Sequence, residues 1–146
     1  SYVPSEITAA FLYAQLQSIH TITERRLHLW NLYHQALESL ENQEKLRRPI
    51  VPNNCQHNAH LYHILLPDME QRNALMFHLR EKGIQAVAHY VPLHDSEGGL
   101  KFARFQGDLQ LTHDIADRIL RLPLFIDLTE DQISYIVQTI SEYFKN

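Results

Sequence analysis

The 146-residue chain predicts a two-layer α/β domain of the α+β type: a small sheet of about three strands, helices packed on it, and a long N-terminal helix. Three observations carry that expectation. The hydrophobic periodicities follow the order helix, strand, helix, strand, helix, strand, helix. A composition of 45% hydrophobic and 21% charged residues suits one folded core and not a disordered chain. No Gly or Pro lies between Ser5 and Arg48, whereas all four glycines follow residue 82, so the chain opens helical and turns later.

The elements follow in order. Ser5 offers an N-cap hydroxyl and Glu6 an acid in the first turn. Ile7, Ala10, Phe11 and Ala14 recur at helical spacing, and Leu12, Leu16 and Ile19 widen the apolar surface. Thr21, Ile22 and Thr23 weaken helix propensity. The pattern therefore predicts one very long helix, or two with a bend near 20–23. It resumes through Leu29, Leu32, Tyr33, Ala36, Leu37 and Leu40. The first half is apolar on more than one side and would expose a sticky patch alone. Residues 1–41 are thus expected to link to a further body and to self-associate through Phe11, Leu12 and Leu16. Residues 42–146 are expected to form the small domain.

Polar residues with Pro49 and Pro52 make 42–58 a loop. Ala59–Leu66 predicts a strand ended by Pro67-Asp68. Met69–Lys82 predicts a helix with Leu75, Met76 and Leu79 facing in and Gly83 at its C′ position. Ile84–Ala88 predicts the second strand. After His94 comes an irregular segment holding Gly98, Gly99 and Gly107. Thr112 is expected to cap a helix through Leu120. Arg121–Phe125 predicts a short strand, with Pro123 arguing for an edge or a strand end. Thr129 caps the last helix, whose apolar stripe is Ile133, Ile136, Val137, Ile140 and Phe144.

Several function classes lose support. A net charge of −4 gives no basic face for nucleic acid, and Lys45-Leu46-Arg47-Arg48 reads as a solvated linker. No apolar run approaches the ~20 residues of a membrane span, and no signal peptide opens the chain. The lone Cys55 excludes an intrachain disulfide and fits a reducing cytoplasm. The chain starts at Ser1 without an initiator methionine and enters helix at once, which reads as a piece of something longer.

Histidine is the unusual count, ten in all. His60 and His63 point to opposite faces of a strand, so His57, His60 and His63 do not predict a metal site. His20, His28, His34, His78 and His113 have no carboxylate at a convincing ligand spacing, and no metal is expected. His89, Tyr90 and His94 stand apart. They sit where a strand leaves the sheet, stiffened by Pro92, and offer hydrogen bonds and titration near neutrality. A satisfied aromatic loop would account for them equally well. No Gly-rich phosphate loop, Gly-x-Ser-x-Gly elbow or catalytic pair of carboxylates is present.

One ordered set of residues is more specific. It comprises Ser1-Tyr2-Val3-Pro4-Ser5-Glu6, Ala9-Ala10, Ala14-Gln15-Leu16, Arg25-Arg26, Tyr33, Ala59-His60, Gly83-Ile84, His89-Tyr90-x-Pro92-Leu93-His94 and Leu122-Pro123-Leu124. With these the chain resembles the segment that follows the catalytic core in DegT/DnrJ/EryC1/StrS sugar aminotransferases. The resemblance implies the C-terminal small domain of a fold-type-I, pyridoxal-phosphate-dependent enzyme, usually a homodimer. It implies that the Schiff-base lysine, which follows a Ser-x-x-Lys pattern, lies in a large domain absent from this chain. Lys45, Lys82, Lys101 and Lys145 do not match that pattern. The fragment alone is then expected to be inert, with no cofactor bound.

The resemblance also assigns roles. His89, Tyr90 and His94 border the substrate cleft and position the substrate. Ser1 stands where most members have an asparagine that reaches the cofactor phosphate of the other subunit. Val3 stands where most have an arginine, and valine cannot replace it. The Ser1–Glu6 start and residues 121–125 are most similar to the branch acting on TDP-4-oxo-6-deoxy-D-glucose for enterobacterial common antigen. That branch implies TDP-4-amino-4,6-dideoxy-D-galactose as product and glutamate as donor. A stand-alone, small-molecule-binding regulatory α/β module remains the alternative.

Overall fold

The computed structural model describes residues 3–145. The Ser5 hydroxyl accepts from the Thr8 N–H and starts α1 (Glu6–Gln17), which buries none of its residues. The helix breaks at Ser18, and α2 (Ile19–Ala36) and α3 (Glu38–Asn42) continue the run. The expected bend is therefore real but falls just ahead of 20–23. Thr21, Ile22 and Thr23 stay inside α2, because a propensity deficit of tenths of a kcal/mol per residue yields to the packing of Leu29, Trp30 and Tyr33 further on.

The remaining elements are β1 (Tyr62–Leu65), α4 (Met69–Glu81), β2 (Val87–Ala88), α5 (Glu97–Phe102), α6 (Gln110–Arg118), β3 (Ile119–Leu122) and α7 (Glu130–Tyr143). The sheet order is β1-β3-β2, with both pairings antiparallel. Tyr62 stands opposite Leu122, and Leu65 opposite Ile119. Arg121 lies between His63 and Val87. This is the mixed helix and three-stranded architecture that the sequence predicts, with shorter strands.

Each shortening has a local cause. Ala59 adopts a positive φ of 50°, outside the strand region, so β1 starts at Tyr62. The Ile84 N–H turns back to the Leu79 carbonyl and the Ala86 N–H to the Ile84 carbonyl, so neither joins the ladder and β2 keeps two residues. Pro123 has no N–H, and β3 ends before it; at its other end β3 follows α6 directly at Ile119. Thr112 does not cap α6. It lies inside the first turn, and its N–H donates to the carbonyl of Leu109, which holds the left-handed cap position at φ 49°. The glycine-bearing segment is not wholly irregular either. The Ser96 hydroxyl accepts from the Gly99 N–H and starts α5.

Tyr62, Ile64, Leu66, Leu120 and Leu122 point from the sheet into the core. They meet Leu29, Tyr33 and Leu37, then Leu75 and Leu79 of α4, then Ile133, Ile136 and Ile140 of α7. Burying each such side chain contributes about 1.5–3 kcal/mol before the entropy of ordering it. Several of the sequence-singled residues touch one another. The Arg26 guanidinium donates to the carbonyls of Ala59 (3.0 Å) and His60. The Tyr33 hydroxyl donates to the Pro123 carbonyl at 3.0 Å. Arg25 donates to the Leu128 carbonyl at 2.8 Å. These residues lash α2 to the loops that enter and leave the sheet, and so fix the height at which the sheet presents its outer face.

Candidate functional site at the strand exit

The site begins at the end of α4. Gly83, at φ 75°, takes the left-handed conformation that ends the helix and turns the chain towards β2. Val87 and Ala88 pair with Arg121 and Leu120, and the chain leaves the sheet at His89. The His89 and Tyr90 rings lie together, centroids 5.1 Å apart. Tyr90 is 77% exposed, and the Arg121 guanidinium carbon lies 5.8 Å from its ring centre. That cation–π contact is worth about 0.5–1 kcal/mol at an exposed position, and it holds the ring upright.

Tyr90 is a wall between two grooves. On one side is an apolar groove of about 630 Å³ lined by His89, Pro92, Leu93, Leu111, Ile115 and Ile119, among others. On the other is a more polar groove of about 490 Å³ lined by His60, Gln85, Arg121 and Pro123, with no acidic residue in its lining. The outer sheet face is cationic. Burial first, then the charges of His89 and Arg47, hold the His63 imidazole below its ordinary pKa. A larger groove of about 770 Å³ runs between α4 and β2, past Met76, Phe77 and Ile84, away from these groups.

His94 parts company with the other two sequence-predicted residues. Its side chain is 11% exposed and turns towards α6, where its Nε2 lies 3.0 Å from the Nε2 of His113. It is part of the loop's foundation, not of the open grooves. Ser1 lies outside the described residues. Val3 is exposed. Lys45, Lys82, Lys101 and Lys145 are all exposed, and none lines the two grooves beside Tyr90.

Two groups escaped sequence reasoning. Arg121 sits immediately before Leu122-Pro123-Leu124, and its place on a strand gave the only hint that it would leave the core. His113 meets His94 and Asp95 across 18–19 residues, a proximity that local spacing does not encode. His57 instead packs tilted against Trp30 and accepts from the Ala59 N–H, and among the described residues His94, Asp95 and His113 are the group that converges. No described helix is long and apolar enough to cross a membrane.

Comparison with known proteins agrees with this geometry. The solved structure of DesV from S. venezuelae, in complex with a ketimine intermediate, superposes with a TM-score of 0.83 at 26% identity, covering 94% of this chain and 36% of that one. An aminotransferase from Brucella abortus gives a TM-score of 0.80 at 25% identity, with 94% and 35% covered. In sequence, a dTDP-3-amino-3,6-dideoxy-alpha-D-galactopyranose transaminase from Aneurinibacillus thermoaerophilus is 23% identical over 141 residues, 94% of this chain and 36% of the relative. A pleiotropic regulatory protein from Geobacillus stearothermophilus is 26% identical over 142 residues, with 97% and 37% covered. The chain thus spans a little over a third of the length of these relatives. A profile of the DegT/DnrJ/EryC1/StrS aminotransferase family matches residues 4–141, and the chain belongs to that family.

Proposed function

We propose that this chain is the C-terminal small domain of a cytoplasmic, pyridoxal-phosphate-dependent nucleotide-sugar aminotransferase, and that it supplies one wall of the substrate cleft. The observation that carries the proposal is the pair of unlike grooves on either side of Tyr90. A nucleotide sugar has the matching halves: an anionic diphosphate for the side holding Arg121, and less polar rings for the other. Arg121 binds the diphosphate, and Tyr90 and His89 orient the sugar. His94 acts through the loop, holding Pro92 and Leu93 in place. The substrate is TDP-4-oxo-6-deoxy-D-glucose, the product TDP-4-amino-4,6-dideoxy-D-galactose and the donor glutamate.

The coenzyme supplies the electron sink when bound, and a large domain holds it. This chain excludes water from one side of the cleft and fixes the substrate's orientation. None of its four lysines stands in a Ser-x-x-Lys pattern, and the chain is inert alone. Ser1 reaches the cofactor phosphate of the opposite subunit in the homodimer. The α1 face of Ile7, Phe11, Leu12 and Leu16, each at least 51% exposed, packs on the large domain and causes self-association when that domain is absent.

Three measurements test this. Mixing the chain with pyridoxal phosphate yields no stoichiometric, borohydride-trappable adduct; one such adduct refutes inertness. Scanning fluorimetry shows stabilisation by the TDP-sugar that Arg121→Gln weakens. Stabilisation by an amino acid alone, with no response to the TDP-sugar, identifies a stand-alone binding module instead. A monodisperse monomer in light scattering refutes self-association through α1.

A further inference from the structure

Residues 89–109 leave the sheet after β2 and return at α6, and much of this excursion faces solvent. Leu93, Leu100, Phe102 and Phe105 are all exposed. Besides the Tyr90–Arg121 contact, a side-chain anchor to the body is the group of His94, Asp95 and His113. The His94 ring packs on Phe105, centroids 5.6 Å apart. Its Nε2 lies 3.0 Å from His113 Nε2 and 3.7 Å from Asp95 Oδ2. His113 Nδ1 lies 2.9 Å from the same carboxylate oxygen.

The relative attitude of the rings matters. Their planes cross at 85° and their centroids are 4.7 Å apart. That is nearer than a head-on imidazole pair joined at 3.0 Å allows, so the two Nε2 atoms approach obliquely. The Asp95 carboxylate beside His113 Nδ1 favours the tautomer with its proton on that nitrogen, which turns the Nε2 lone pair towards His94. A carboxylate behind a histidine is the arrangement that orients imidazole ligands and raises their basicity.

We propose that His94 Nε2 and His113 Nε2 bind a divalent transition-metal ion of the zinc class, with Asp95 as the carboxylate that orients His113. Two nitrogens bound to one zinc ion at 2.0–2.1 Å in tetrahedral geometry lie about 3.4 Å apart. The observed 3.0 Å reaches that by a side-chain adjustment of a few tenths of an ångström. Imidazole ligands select zinc, copper or nickel over magnesium and calcium. Water completes the coordination, so the ion acts as an exchangeable staple between the strand exit and α6. The inference does not depend on the aminotransferase reading, and either can fail without the other.

The test is a zinc titration of the metal-free chain against a competing chromophoric chelator, with magnesium as the control ion. One equivalent of zinc binds, and magnesium gives no response. His113→Ala removes that equivalent. Asp95→Asn, which keeps shape and removes the carboxylate charge, lowers affinity about 10- to 100-fold. His57→Ala and His60→Ala leave it unchanged. Hydrogen exchange gives a second readout: zinc slows the amides of 96–109 in the parent chain and not in His113→Ala. Far-UV circular dichroism establishes that each variant is folded. Zinc affinity unchanged in both His113→Ala and Asp95→Asn, or zinc binding lost instead with His57 and His60, overturns the proposal.

Discussion

Replacing Gly99 with alanine drives a methyl group into the Leu93 carbonyl, whereas the same replacement at Gly98 meets nothing within 4 Å. Both glycines lie in α5, so both variants gain alanine's helix preference, roughly 0.5–1 kcal/mol. That gain cancels when the two variants are compared. The remaining difference is the overlap, which costs about 1–3 kcal/mol where the obstructing atom is backbone and cannot swing away. The Leu93 carbonyl is also occupied, since it accepts from the Ser96 hydroxyl at 2.7 Å. Relief therefore loosens the Ser96 cap and lets α5 open locally. The assay is native-state hydrogen exchange of the α5 amides, read as a ratio. A 1–3 kcal/mol difference makes exchange about 5- to 150-fold faster in Gly99→Ala than in Gly98→Ala. Far amides such as those of α7 keep equal rates. Equal α5 rates in the two variants would refute the packing argument.

Three further outcomes are expected. Tyr33→Phe leaves the Pro123 carbonyl without its 3.0 Å donor and lowers unfolding free energy by about 1–2 kcal/mol in urea titrations followed by Trp30 emission. His78 carries a buried Nε2 with no hydrogen-bond partner among the described residues, so His78→Leu raises stability by about 1 kcal/mol in the same assay. Acid sensitivity is the third. Burial, then the His89 and Arg47 charges, lower the folded-state pKa of His63, and burial, then Arg48, lower that of His34. The unfolded chain then takes up protons near pH 6.5 before the folded chain does, so stability held above that value is lost as the pH falls towards the folded pKa. His63→Gln flattens this slope below pH about 6.5; an unchanged slope across a pH series of urea midpoints counts against the assignment.

The legible parts of the fold were those written in adjacent residues. Ser5 and Thr129 cap helices as their side chains imply, and Gly83 takes the positive φ that ends α4. The Ile133, Ile136 and Ile140 stripe is buried as its spacing predicts. The errors arose where backbone conformation overrode residue preference. Ala59 and Leu109 both adopt left-handed conformations that their side chains give no reason to expect, and each moved an element boundary. At the site, His89 and Tyr90 were legible because they adjoin in sequence and remain adjoining in space. The His94 environment was not, because α5 and the turn after it bring His113 back against a residue 19 positions earlier.

The last strand in the chain is the middle strand of the sheet. Among the described residues β1 and β2 do not pair with each other; within the sheet each is bonded to β3, and Leu65 of β1 also bridges Arg47. During synthesis the first two strands thus emerge before the strand that joins them, β1 with only Arg47 beside it, and about sixty residues separate Tyr62 from its partner Leu122. The sheet cannot form piecemeal. It needs Ile119–Leu122 in the middle, and because Ile119 lines one groove beside Tyr90 and Arg121 the other, neither groove is complete without that strand.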